Sequence, residues 1–250
     1  MPTRTHKATK GARAAKPPAR RHQAAHHSIA AAHPHTSGRA KFVAGYRIFY
    51  GLLALAAIIA QYARSTGHAA FNPVNFFSYF TIESNLLAAA AFLLGAWFII
   101  ARRPLPHWFN LFRGGVVVYM VLTGIIFALL LKDTSVQNDF SLLWADDVMH
   151  VVFPIIVAID WLLVPPHRNI TIRRAAVWLI FPVVWLAYTL WRGAVTGWYP
   201  YPFLVPDEGY LRVAGYCLVV ASVIIVIGGL VKLVPAFPAD HHAPGKTGRR

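Results

Sequence analysis

Two short stretches of an otherwise apolar chain carry residue types that can do chemistry together. In the first, Thr81, Ser84, Asn85 and Ala88 share one face of a 3.6-residue helical period, while Glu83 points roughly 200° away from Thr81. In the second, Asp146, Asp147, His150 and Pro154 follow i, i+3 and i+4 spacing and form one acidic and imidazole stripe. A carboxylate one turn before His150 can accept its Nδ1 proton and leave Nε2 as a base. That is a catalytic half-site, for which a threonine hydroxyl at the same level is a candidate nucleophile. The ordinary alternative for Thr81 is a hydroxyl bonded to its own i−4 carbonyl or to a neighbouring helix. An Asp146, Asp147 and His150 metal site has no second His or Cys at ligand spacing and no HExxH pattern. Bis-histidine haem would need a second His inside a hydrophobic run, and the remaining histidines lie in tails or connections. There is no Gly-rich phosphate loop and no G-x-S-x-G elbow, so no cofactor is expected.

The elements that must position these residues are set by hydrophobicity. The 250-residue chain is 57% apolar and 13% charged, too apolar for a soluble domain. A helix needs about 20 mostly apolar residues to span the hydrocarbon. Six stretches qualify, approximately Phe42 to Tyr62, Phe77 to Ile100, Leu111 to Leu131, Trp144 to Val164, Ile172 to Trp191 and Tyr210 to Leu233. The expected fold is therefore all-α, a polytopic membrane bundle of six transmembrane helices over residues 41–233. At 1.5 Å per residue, Thr81 lies roughly 6 Å into the second span and His150 roughly 9 Å into the fourth, counted from the same side. Asp160 is about 15 Å further along and cannot orient the histidine. A surface role near Arg173 or Arg174 is expected for it, and Glu83 and Arg192 are candidates to pair.

Charge gives orientation. Arg102, Arg103, Arg113, Arg168, Arg173 and Arg174 fall on the same side as both termini, which the positive-inside rule assigns to the cytoplasm. Seven of the nine acidic residues fall on the other side, including Asp133 and Asp139 in the Lys132 to Ser141 connection. Residues 1–40 hold eight of the 24 Lys and Arg and no acid, and are expected to be a disordered cytoplasmic tail drawn to anionic headgroups. Residues 234–250 form a second short basic tail. The net charge of +15 thus sits in tails and connections, and no nucleic-acid partner is expected. Without an apolar h-region before residue 42 the tail is not a secretory signal; its basic, acid-free character is also that of an organellar transit peptide. The single cysteine, Cys217, excludes an intrachain disulfide. Oligomeric state is not legible.

The fifth connection, Arg192-Gly193-Ala194-Val195-Thr196-Gly197-Trp198-Tyr199-Pro200-Tyr201-Pro202-Phe203-Leu204, is a shaped loop, because prolines at alternate positions forbid a regular helix. Its aromatic run suits either an interfacial belt or a lipid-binding lip. Three stretches together resemble the bacterial Pr6Pr family of membrane proteins: Tyr79-Phe80-Thr81-Ile82-Glu83-Ser84-Asn85-Leu86, then Met149-His150-Val151-Val152-Phe153-Pro154 leading to Asp160-Trp161-Leu162-Leu163, then Gly197-Trp198-Tyr199-Pro200-Tyr201-Pro202-Phe203-Leu204. They are similar, more distantly, to the eukaryotic androgen-induced and androgen-dependent membrane proteins, threonine hydrolases of fatty acid esters of hydroxy fatty acids. The likeness covers roughly Phe42 to Leu233.

The resemblance implies a bacterial plasma-membrane protein with Thr81 as nucleophile and His150 as base. It transfers no role to Glu83, Ser84, Asn85 or the aromatic loop. By geometry alone, Asp146 or Asp147 is expected to hold the imidazole and Asn85, one turn below Thr81, to serve as oxyanion donor. The expected substrate is a membrane lipid or lipid ester. A small-solute transporter and a noncatalytic scaffold are the alternatives, the first requiring a polar path across the bilayer where the sequence offers only Arg47 and Asp160.

Overall fold

The computed structural model describes residues 38–132, 142–166 and 169–235. Most of both expected basic tails and nearly all of the Lys132 to Ser141 connection lie outside the described residues. Every regular element within them is helical. The chain is an integral membrane protein, and among the described residues five helices are long and apolar enough to cross a bilayer: α1 (Gly38–Thr66), α3 (Phe80–Ile100), α4 (His107–Leu131), α6 (Ile172–Thr196) and α7 (Tyr210–Leu233). A short helix, α2 (Pro73–Phe77), precedes α3, its first turn capped by Asn72, whose side chain accepts from the Val74 amide. Helix α1 begins at Gly38, so the end of the expected tail is already helical.

The sixth expected span, α5, is helical without a break through Leu143–Asp147, Val148–Val152 and Phe153–Leu163. It has the length to cross, about 30 Å. Asp146, Asp147 and Asp160 give it three charged side chains, more than the apolar windows of the other five hold, so crossing on length and composition is shown for five helices instead of six. The helix tolerates these residues because it is wedged against α1, α3 and α4, which bury Asp160 and leave Asp146 only partly exposed. Helices α3 and α4 are the most buried of the long elements, and α6 and α7 the least. Indole hydrogen bonds tie the outlying pair to the centre: Trp178 Nε1 donates to Leu111 O at 2.8 Å, and Trp161 Nε1 to Val231 O at 3.1 Å.

Asp160 corrects the sequence expectation of a surface role. It is 3% exposed and accepts a bidentate contact from Arg47, Nε to Oδ1 at 2.7 Å and Nη2 to Oδ2 at 2.9 Å. Arg113 Nη2 donates to Oδ2 at 2.6 Å, and the Tyr46 hydroxyl also bonds Oδ1. Three helices, α1, α4 and α5, thus meet on one carboxylate. Two guanidiniums on one carboxylate leave a positive excess, which the carboxyl end of α5 offsets: Arg113 also donates to Val164 O and Arg39 to Leu163 O. Depth along one helix does not reveal which cations other helices bring to that level, and for Asp160 they are Arg47 of α1 and Arg113 of α4.

Candidate active site

The site begins with a defect in α5. Pro154 has no amide proton, and its ring crowds the carbonyl of His150 four residues earlier. The turn widens at this point into a π-helical stretch, Val148–Val152, in which the Phe153 amide bonds Val148 O, five residues back. The carboxyl end of α4 is widened in the same way over Phe127–Leu131, where the Lys132 amide bonds Phe127 O. The two widened turns face each other through a stack of Phe127 on the His150 ring, with centroids 4.4 Å apart and planes 16° from parallel.

Held by that stack, His150 lies between a carboxylate and a hydroxyl. Its Nδ1 is 2.9 Å from Asp146 Oδ1 and 3.1 Å from Asp146 O, both acceptors, so Nδ1 carries the proton. Nε2 is then the acceptor toward Thr81 Oγ1, 3.1 Å away. Thr81 is 6% exposed and occupies the first turn of α3. Asp147, the other expected carboxylate, is exposed, and it is Asp146 that meets His150. Sequence spacing left the two equivalent, and the structure brings the i, i+4 carboxylate to the imidazole.

Asn85 departs from its expected role. Its Nδ2 donates to Thr81 O at 2.9 Å and to Met149 O at 3.1 Å, which uses both amide protons. It therefore has no proton left for an oxyanion. It is fully buried and ties α3 to the π-helical stretch of α5, so it holds the two halves of the site in register. Arg192 likewise bonds Asn75 Oδ1 and Ser78 Oγ and stacks over Trp198 instead of meeting Glu83.

The residue that sequence reasoning missed is Tyr201. The Thr81 amide donates to its hydroxyl at 3.3 Å, and the same hydroxyl lies 3.4 Å from Thr81 Oγ1. The loop is folded inward by a left-handed turn at Gly197, φ 72°, and by close approach of Tyr199 to Gly193, where a Cβ would lie 2.0 Å from the ring. Tyr201 precedes Pro202 and is accordingly extended, φ −133° and ψ 140°. Its ring stacks on Phe203, centroids 5.3 Å apart, and meets Tyr79 edge-on. Burial pushes its hydroxyl up to about 12, so it stays a neutral proton donor. The only signal in the sequence was the proline-fixed aromatic run, which suits an interfacial belt equally well.

A cavity of about 370 Å³ opens onto Thr81, Asp146, His150 and Tyr201. The arrangement can deprotonate a hydroxyl, hold the resulting imidazolium against a carboxylate, and offer an O–H donor beside the nucleophile, which are the parts of a nucleophilic acyl-transfer site. Fold and site together define an integral-membrane helical bundle with a hydroxyl, imidazole and carboxylate in hydrogen-bonded series. No family model, curated protein or solved structure matches the chain.

Proposed function

We propose that this protein is an integral membrane hydrolase of lipid, fatty acid, esters. The observation that carries the reading is the 3.1 Å contact between Thr81 Oγ1 and His150 Nε2, with Nδ1 held by Asp146. His150 Nε2 takes the Thr81 proton as Oγ1 attacks the ester carbonyl. The negative charge that develops on the carbonyl oxygen is met by the Tyr201 O–H, a donor strengthened by accepting the Thr81 amide proton. His150 returns the proton to the departing alkoxide, leaving an acyl-threonine. Water then adds with the same base, and the fatty acid departs. The more distant resemblance of Thr81 and His150 to the essential pair of the androgen-induced and androgen-dependent threonine hydrolases is consistent with this chemistry. So is the burial of Phe92, Phe153 and Val157 in one apolar cluster, the last two lying between His150 and Asp160 on α5.

Turnover of a panel of lipid esters by the purified protein in detergent or liposomes tests the reading; inactivity of wild type across the panel would overturn it. Tyr201→Phe is expected to lower kcat about 100- to 1,000-fold with a smaller change in KM, because the donor acts on charge that exists only in the transition state. The deficit should stay constant with pH below the tyrosine's own pKa of about 12. A KM effect alone would assign Tyr201 to packing.

For orientation, we propose that α5 crosses with the other five, that both termini are cytoplasmic, and that the site opens on the outer side of a bacterial plasma membrane. Tag accessibility in intact cells is expected to leave both termini protected and a tag between Lys132 and Leu142 exposed. Labelling of the amino terminus from outside would reverse the assignment.

A further inference from the structure

Thr81 faces two cavities, and they differ in chemistry. The first, described above, is lined partly by Asp146, His150 and Gln61. The second, about 140 Å³, lies between α4, α6 and α7 and is lined almost wholly by apolar side chains, among them Leu122, Leu186, Val220 and Ile224. Thr81 and Tyr201 belong to both walls, whereas His150 and Asp146 belong only to the first. The nucleophile and the O–H donor are therefore at the junction, with the base on one side of it.

That asymmetry assigns a direction to the substrate. The leaving oxygen must take its proton from His150 Nε2, so it has to lie in the first cavity. The bond from the carbonyl carbon to the acyl chain points away from the leaving oxygen, toward the second. Resting on the hydrolase reading above, we propose that the second cavity is the acyl-chain subsite and that the alcohol portion of the ester occupies the first. In the acyl-threonine the chain stays in the apolar cavity while the alcohol departs through the first, and water reaches the carbonyl from the His150 side.

The chain has a lateral route from the bilayer. Helices α6 and α7 meet where Ile172–Ala175 and Trp178 pack on α7, and few backbone contacts join Ile180–Thr196 of α6 to α7. Val183 of α6 is 61% exposed and Ala221 of α7 is exposed, yet both line the second cavity. A single acyl chain sliding between these helices remains in apolar surroundings from the lipid to the junction. The occupant is thus one acyl chain of an ester, drawn from the hydrocarbon side.

The test uses Ala221→Phe, which projects a ring into the second cavity from a position exposed at its mouth. Hydrolysis is measured on two ester series, one varying the acyl chain at constant alcohol and one varying the alcohol at constant acyl chain. The ratio of kcat/KM for long over short acyl chains is expected to fall about tenfold, equivalent to losing roughly two methylene contacts. Selectivity along the alcohol series should not move. A shift along the alcohol series instead would reverse the direction, and no shift along either would remove the subsite. Cys217, the only cysteine of the chain, lines this cavity and gives a readout independent of turnover. Dodecanoate at tenfold its Kd is expected to slow Cys217 labelling by methyl methanethiosulfonate about tenfold by mass action, with acetate without effect. Equal labelling with and without dodecanoate would overturn the subsite. Protection by dodecanoate in a wild-type protein inactive toward every ester would sink the hydrolase reading and leave the chain-binding cavity standing.

Discussion

Purified Thr81→Ala and His150→Ala proteins are each expected to lose at least about 1,000-fold in kcat on a medium- or long-chain ester, with the fold retained. The magnitude follows from the geometry. With Nε2 3.1 Å from Oγ1, proton removal and nucleophilic attack form one event, and neither partner works alone. The double variant should be scarcely worse than either single one, because residues that act as a unit are strongly non-additive. Thr81→Ser keeps the hydroxyl and should retain measurable turnover, which separates loss of chemistry from loss of packing. Additive losses would mean that Thr81 and His150 act separately.

Asp160→Ala is the second large effect, and its readout is stability. Arg47 and Arg113, 1% and 4% exposed, both bond this carboxylate. Deleting it leaves two buried guanidiniums facing each other, and breaking a buried pair in this way costs about 3–5 kcal/mol. Thermal unfolding in detergent is expected to show Tm lowered on the order of 10 °C. Combining Asp160→Ala with Arg47→Ala should cost less than the sum of the single changes, since the second substitution removes one of the stranded charges. A Tm within a degree or so of wild type would mean that the cluster is solvated and that α5 is held in place by apolar packing.

These two clusters show what was readable from the sequence. The pairing of Thr81 with the level of His150 followed from counting residues inward from the ends of two apolar runs, because membrane thickness makes helix depth a nearly fixed coordinate. Rotation about a helix axis is not fixed in that way. The choice of Asp146 over Asp147 goes with how α5 is turned against its neighbours, which leaves Asp147 exposed, and spacing along one helix does not give it. Asn85 was correctly assigned to the Thr81 face, yet its donors are taken by Thr81 O and Met149 O, and the second of these comes from another helix. Tyr201 and the Arg47–Asp160–Arg113 cluster were out of reach for a similar reason. Each joins segments more than 40 residues apart, and no local pattern specifies which long-range partners meet.

The nucleophile itself can be identified by covalent trapping. A fluorophosphonate ester added to wild-type protein is expected to leave a stable adduct that peptide mass spectrometry maps to Thr81, and the adduct should be absent from the His150→Ala variant, whose hydroxyl has no base. An adduct on another residue, such as Ser84, or undiminished ester hydrolysis by purified Thr81→Ala protein, would contradict the assignment of Thr81.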